Sequence, residues 1–372
     1  MTSLKKKQLG IGIIGCGKIS QAYFNGAKIF NVLNIIACAD LNEATAEAKA
    51  AENGCQALTI TELLAHPEIE LVINLTIPAA HAAVSRQILE ADKHVYCEKP
   101  LTVELADARD LLSFAESKDR LIGCAPDTFF GAGIQTCMEI IDSGAIGTVK
   151  SGTAFMLSGG PESWHPNPGF YYLHGGGPVF DMAPYYLTAL VNLIGPIRSV
   201  SAVTTRAFEK RTATSDARKG EILPVEVNTH ASGTLEFESG ALVTAVFSFD
   251  VHAHAHSPIE LYGTDGSIKI PDPNQFSGPV EVFKSRAEPR QWEAVSLTRP
   301  YQDNTRGIGV ADMAQALTEG RRPRATGELA LHVLEVMHAF DQSSITGQRV
   351  SIESKPPRPA PLPMGLIPGE LD

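Results

Sequence analysis

The sequence predicts an α/β domain built on a doubly wound parallel sheet, followed by an α+β domain with a mostly antiparallel sheet. Three observations carry this reading. An apolar run at the start closes on a glycine-rich turn, Gly15-Cys16-Gly17-Lys18-Ile19-Ser20. Short apolar runs then alternate with helical stretches up to about residue 125. Beyond that point strand-like runs follow one another directly.

A chain of 372 residues is too long for one small core, so two domains are expected: 1–125, then 126–355, with 356–372 as a proline-rich arm. Hydrophobic residues make up 44% and charged ones 20%, the composition of a soluble globular protein. The net charge of −11 and the lack of a basic stripe argue against nucleic acid as a partner. No apolar run is long enough to span a membrane. The lysine-rich start leads into an apolar run too short for a signal peptide, which reads instead as a first strand. The six cysteines form no CxxC pair and several lie in apolar runs, as expected of reduced thiols in the cytoplasm.

Strands are expected at LGIGIIG, NIIACAD, ELVINLT, HVYCE and RLIGCAP, with helices between them such as Asn42 to Asn53 and Ala79 to Ala91. A helix over roughly 131–143 opens the second domain. Strand-like runs follow, two of them joined by a GTDGS hairpin turn. Helical pattern returns near 308–319 and 326–340. The tail, SKPPRPAPLPMGLIPGE, reads as an extended arm packing on a neighbour or as a disordered segment.

The glycine turn suits a dinucleotide. Gly15 and Gly17 take the first two glycine positions of GxGxxG and Ser20 the third, so backbone approaches a pyrophosphate while a helix N-terminus faces its charge. Gly15, Gly17, Lys18 and Ile19 are the turn residues expected against the cofactor. A second strand ends in Asp40, placed to bind the ribose hydroxyls of NAD and to repel the 2′-phosphate of NADP. This is the fingerprint of a Rossmann domain. The loop LTIPAAH follows the third strand, making Thr76, Pro78 and His81 candidates to line the cofactor. For His81 a second reading stands beside this one, a helix-start residue facing solvent.

The next strand runs into Glu98-Lys99-Pro100-Leu101. With GIIGCGKIS, Asp40, the Thr-x-Pro loop, ADKHV, GAIG at 144–147 and the glycine run ending in Asp181, the chain resembles the Gfo/Idh/MocA oxidoreductases over nearly its whole length. The resemblance implies a Rossmann domain and an open, largely antiparallel sheet with helices on one face, the exposed face serving as a homo-oligomer interface in a dimer or tetramer. It makes Lys99 the catalytic lysine and places Glu98 near the nicotinamide ribose. An ammonium in a buried or charge-crowded setting has a lowered pKa and can exchange a proton with an alcohol being oxidised.

The same family carries an aspartate followed four residues on by histidine. Here these positions are Asp181 and Tyr185, expected on one helical face with a core stripe of Leu187, Leu190, Val191 and Ile194 pointing away. Asp181 also reads as a helix N-cap. A nearby ammonium would lower a phenol from its ordinary value near 10, which suits a Lys99–Tyr185 acid/base pair; which of the two takes the proton stays open. The aromatic loop at 159–177 makes Trp164 and His165 substrate-contact candidates, alternatively plain loop packing. Asp127 stands in a segment where many relatives have Asn-Arg, and joins Lys99, Asp181 and Tyr185 as a substrate candidate. His252, His254 and His256 alternate as on one strand face, an arrangement that suits zinc; no fourth ligand is evident and no metal is expected. The expected activity is NAD-dependent oxidation of a secondary hydroxyl on a sugar, cyclitol, polyol or glycoside. Redox-assisted glycoside cleavage, dihydrodiol dehydrogenation and a non-catalytic NAD sensor are the alternatives.

Overall fold

The computed structural model describes residues 8–372, which divide into two compact units. The first seven residues, the lysine-rich start, lie outside the described residues.

In the first unit, β1 (Leu9–Ile14), β2 (Leu33–Ala39), β3 (Gln56–Ala57), β4 (Leu71–Asn74), β5 (His94–Cys97) and β6 (Ile122–Cys124) form one sheet in the order β3-β2-β1-β4-β5-β6. Every pairing in it is parallel. The linking helices are α1 (Ser20–Ala27), α2 (Glu43–Asn53), α3 (Ile60–Ala65), α4 (His81–Glu90) and α5 (Leu105–Ser117). All residues of β1 and β4 are buried, as strands covered on both faces must be, which is why they read as unbroken apolar runs. Each fully buried Ile there stabilises the fold by about 1.5–3 kcal/mol relative to exposure. The strand order reverses between β1 and β4, and the crevice outside their carboxyl ends is where such sheets hold ligands.

The second unit begins with α6 (Ala132–Asp142) and β7 (Val149–Leu157), then α7 (Gly177–Asp181) and α8 (Ala183–Ile194). Strands β8 (Ile197–Thr205), β9 (Lys210–Thr212), β10 (Ile222–Pro224), β11 (His230–Phe237), β12 (Leu242–Ser248), β13 (Ile259–Gly263), β14 (Gly266–Ile270), β15 (Val280–Lys284) and β16 (Glu293–Val295) follow. The expected GTDGS hairpin joins β13 to β14. Apart from a β9–β10 ribbon, these strands form a nine-stranded sheet in the order β16-β15-β14-β13-β7-β12-β11-β8-β17. It is antiparallel except where β7 runs parallel to β12. Along β7 the burial alternates: Ala154 and Met156 are buried, while Thr153 and Phe155 are half-exposed. Thr244 and Val246 of β12 lie in register beside those two, on the same open face.

After β16 come α9 (Ile308–Glu319), α10 (Gly327–Thr346) and β17 (Val350–Ser351), the last paired with β8. Here the structure departs from a single boundary near residue 125. Residues 299–331 and 359–372 belong to the first unit, and 132–298 with 332–358 to the second. The reason is burial. Val310, Ala311, Met313 and Ala314 of α9 are all inaccessible, and α9 packs on α1 and β6. The proline-rich tail is neither free nor extended from the fold. Leu362 and Leu371 are buried, Arg299 donates to the Leu362 carbonyl at 3.1 Å, and Asp372 pairs with Arg321 and Arg324 at 2.6 Å each.

Candidate active site

The first unit assembles a dinucleotide cradle at the carboxyl ends of β1, β2 and β4. Gly15 has φ 101°, and a Cβ there would lie 2.6 Å from the Leu75 carbonyl oxygen, so the turn admits only glycine. Gly17 opens the other way: a Cβ there would meet nothing within 4 Å. Ser20 closes the turn, its buried hydroxyl donating to the Gly17 carbonyl at 2.7 Å. Lys18 is exposed and Ile19 half-buried at the start of α1. Asp40, half-buried just past β2, accepts from the Cys16 N–H at 2.8 Å and from the Asn42 N–H at 2.9 Å, one on each carboxylate oxygen. Those bonds fix the carboxylate and leave further lone pairs for ribose hydroxyls. The open turn, the helix start and the fixed acid fit NAD.

Two flanking residues escaped the sequence reading. Leu41 is 93% exposed beside Asp40, and Ile77 is 70% exposed between Thr76 and Pro78. Large aliphatic side chains so exposed leave apolar surface at the carboxyl ends of these parallel strands. For Leu41 the signal was available as an apolar residue immediately after the acid that ends β2.

The Thr76 loop is held from below. The buried Asn74 donates to the His81 carbonyl at 3.1 Å and to Ser85 Oγ at 3.0 Å, and its Oδ1 accepts the Thr76 hydroxyl at 2.7 Å. Pro78 opens the short helical turn that leads into α4. His81 is not the solvent-facing helix-start residue that one reading expected. It is buried, with Nδ1 2.6 Å from the Pro100 carbonyl and Nε2 3.0 Å from the Thr76 carbonyl. It is shut off from solvent and ties the Thr76 loop to the Lys99-Pro100 turn. Burial lowers its pKa, against the pull of the Pro100 and Thr76 carbonyls and of Glu98.

Glu98 and Lys99 leave the end of β5, both half-buried, and the Lys99–Pro100 bond is cis. Glu98 is fixed at both oxygens: Tyr23 Oη donates to Oε1 at 2.8 Å and the Lys99 N–H to Oε2 at 2.9 Å. Burial, then the Glu98 charge, raise the Tyr23 phenol well above its ordinary range, so it stays a donor. Asp127 departs from its expected substrate role. It is buried, and its Oδ2 accepts from the N–H groups of Gly307 and Gly309 at 2.8 and 3.1 Å, satisfying the first turn of α9. Burial pushes its carboxyl up to about 6.

In the second unit, Asp181 and Tyr185 do not share one continuous helix. Asp181 is the last residue of α7, Met182 separates the two helices, and Pro184 sits in the first turn of α8, where its missing N–H breaks the ladder. Asp181 is therefore not the N-cap of the helix that carries Tyr185. The expected core stripe is wider than a stripe: from Ala183 to Leu193 every residue of α8 is buried except Tyr185, which is half-exposed. The glycine run folds back on the loop before it at Gly176, where a Cβ would lie 2.5 Å from the Tyr171 carbonyl oxygen, and Gly177 takes φ 82° with a Cβ position 2.9 Å from the Asn228 carbonyl oxygen.

The aromatic loop is anchored by Arg211, which pairs with Glu162 at 2.6 Å and with Asp250; all three side chains are nearly inaccessible. Trp164 stands 62% exposed, its ring edge-on to His165 at 5.4 Å, and His165 is boxed further by Phe170 and Tyr171. His165 Nδ1 accepts from the Asn167 N–H at 3.0 Å. His252, His254 and His256 are not on a strand, since β12 ends at Ser248 and they occupy the exposed segment after it. His254 stacks over His256, and His256 over Phe155 at 4.3 Å. Among the described residues no three His, Cys, Asp or Glu side chains gather as metal donors. Likewise, no helix among them is long and apolar enough to cross a membrane.

Comparison with known proteins agrees with this architecture. Residues 9–125 match the oxidoreductase family with the NAD-binding Rossmann fold, and residues 134–269 match the GFO/IDH/MocA C-terminal domain. A dTDP-3,4-didehydro-2,6-dideoxy-alpha-D-glucose 3-reductase of Saccharopolyspora spinosa is 28% identical over 85% of this chain and 93% of its own length. The inositol 2-dehydrogenase of Rhizobium meliloti is 26% identical over 92% of this chain and 98% of its own. Among solved structures, apo levoglucosan dehydrogenase superposes with a TM-score of 0.82 at 20% identity, covering 94% of this chain and 99% of that one. The same enzyme in complex with NADH and L-sorbose gives 0.81, covering 94% and 100% at 20% identity. With a glycine turn and fixed acid that fit NAD, the chain belongs to the GFO/IDH/MocA oxidoreductases and is an NAD-binding dehydrogenase acting on CH–OH groups.

Proposed function

We propose that this dehydrogenase oxidises a secondary hydroxyl of a sugar, cyclitol or related polyol, and reduces the corresponding ketone in reverse. The activities of two similar proteins, a nucleotide-sugar reductase and an inositol dehydrogenase, support a carbohydrate substrate. NAD when bound supplies the hydride acceptor. Asp40 holds the adenosine ribose and disfavours the 2′-phosphate of NADP; Leu41 and Ile77 give apolar contact to the cofactor's rings.

The observation that carries the reading is the setting of Lys99. It follows a glutamate whose carboxylate is immobilised at both oxygens, at the carboxyl end of a parallel strand. Lys99 is proposed to take the proton of the reacting hydroxyl, with Glu98 fixed as its neighbour and His81 holding the following carbonyl. In the second unit the same reading gives substrate roles to Tyr185, the half-exposed residue of an otherwise buried helical stretch, and to Asp181. Trp164 and His165 are proposed to contact the sugar. The open face of the nine-stranded sheet is proposed to pair copies of the chain.

The test is a screen of polyols, aldoses, inositols and glycosides followed by NADH absorbance. Lys99→Met should lower turnover about 10²–10⁴-fold, as loss of general acid/base catalysis does, with NAD affinity largely kept. Normal turnover in Lys99→Met would end the mechanism. Glycoside cleavage without net NADH would replace simple dehydrogenation.

A further inference from the structure

We infer that Cys38 and Cys55 form a redox-responsive thiol pair beside the NAD cradle, closed to a disulfide by hydroperoxides, and that closure weakens NAD binding. The two sulfurs are 3.9 Å apart. Cys38 is fully buried on β2, two residues before Asp40, while Cys55 is half-exposed immediately after α2. An oxidant from solvent therefore meets Cys55 first, with Cys38 waiting behind it. The contact with Cys38 also holds the Cys55 thiol below its ordinary range, while Cys16 first, then Cys55 and burial, push that of Cys38 up, which suits attack by Cys55.

The chemistry balances with a hydroperoxide as the named oxidant. The Cys55 thiolate attacks the O–O bond, forming a sulfenic acid and releasing an alcohol or, from hydrogen peroxide, water. The Cys38 sulfur then displaces the sulfenic hydroxyl, forming the S–S bond and releasing water; both thiols are oxidised and the peroxide is reduced.

Closure reaches the cofactor through β2. The sulfurs must approach to about 2 Å, drawing the end of α2 and the start of β3 onto β2. The Cys38 thiol also loses its contact with the Ala46 carbonyl, now at 3.5 Å. The end of β2 bears the groups that shape the cradle. The Ala39 carbonyl accepts from the Gly15 N–H at 2.9 Å, and Asp40 accepts from the Cys16 N–H at 2.8 Å. Strain at Cys38 displaces both.

The experiment treats the full-length reduced protein with hydrogen peroxide, maps its peptides without reduction, and titrates NAD by calorimetry. The expected result is a Cys38–Cys55 linked peptide lighter by two hydrogen atoms, a several-fold rise in Kd for NAD, and reversal of both by dithiothreitol. Cys55→Ser should bind NAD normally and resist peroxide; Cys55→Ala serves the same purpose if the serine variant folds poorly. Absence of the linked peptide overturns the inference. So does a linked peptide with unchanged Kd, or an equal loss of affinity in the Cys55 variants.

Discussion

Tyr23 donates its phenolic hydrogen to Glu98 across 2.8 Å, joining the first helix of the cradle to the glutamate beside Lys99. The ring is buried and the phenol cannot ionise in the working range. Tyr23→Phe keeps the packing and removes one hydrogen bond to a charged group, a loss of about 1.5–3 kcal/mol. We expect lower stability in urea and reduced turnover, with NAD affinity changed less than turnover.

Asp127 makes stability depend on pH. Its folded pKa of about 6 lies above the ordinary 3.8, so the folded protein binds the proton more tightly than the unfolded chain. The stability tied to that proton is fully present below pH 4 and is lost as pH rises through 6, on the order of 3 kcal/mol. Asp127→Asn keeps an oxygen for the Gly307 and Gly309 N–H groups and removes the titration. Its urea midpoint should lose less than that of the parent between pH 4 and 7. Asp127→Ala should be destabilised throughout, by about 1–2 kcal/mol for a lost helix cap.

The proposed role of Asp40 in cofactor choice is open to a direct test. Asp40→Ala removes the charged acceptor of the Cys16 and Asn42 N–H groups, and with it the acceptor proposed for the ribose. NAD binding should weaken at least about tenfold, as loss of a charged hydrogen bond implies, while NADP binding holds or improves. Thermal shifts with each nucleotide read this directly, and an unchanged preference would sink the assignment.

Arg211 anchors the aromatic loop through two nearly inaccessible carboxylates. Arg211→Met leaves Glu162 and Asp250 buried without their cation, a cost of about 3–5 kcal/mol. The melting temperature should fall sharply. Adding Glu162→Gln and Asp250→Asn should recover part of it, since the uncompensated charge then disappears.

Much of the first unit was legible because its signals are local. The run from β1 through Gly15 to Asp40 reads in order, and each residue does its part within a few neighbours. The α9 segment was legible as a helix but not as a partner of the first sheet, because its buried face matches β6 only across some 180 residues of chain, the separation of Asp127 from Gly307. Asp127 looked like a site acid for the same reason: nothing near it in sequence announces the N–H groups it serves. His81 was misread because its carbonyl partners at Thr76 and Pro100 carry no side-chain signature. The Asp181–Tyr185 spacing suggested one helix, and Pro184 between them was the overlooked warning.

The distant ionic latch of Asp372 on Arg321 and Arg324 sets an order of events during synthesis. The nucleotide-binding unit is begun by residues up to 131, yet α9 emerges only after residues 132–298 of the second unit, and the segment through Asp372 only after residues 332–358 as well. The nascent sheet must wait with the α9-facing sides of α1 and β6 uncovered. A chain released before Asp372 would carry an otherwise finished second unit beside an unsealed first one.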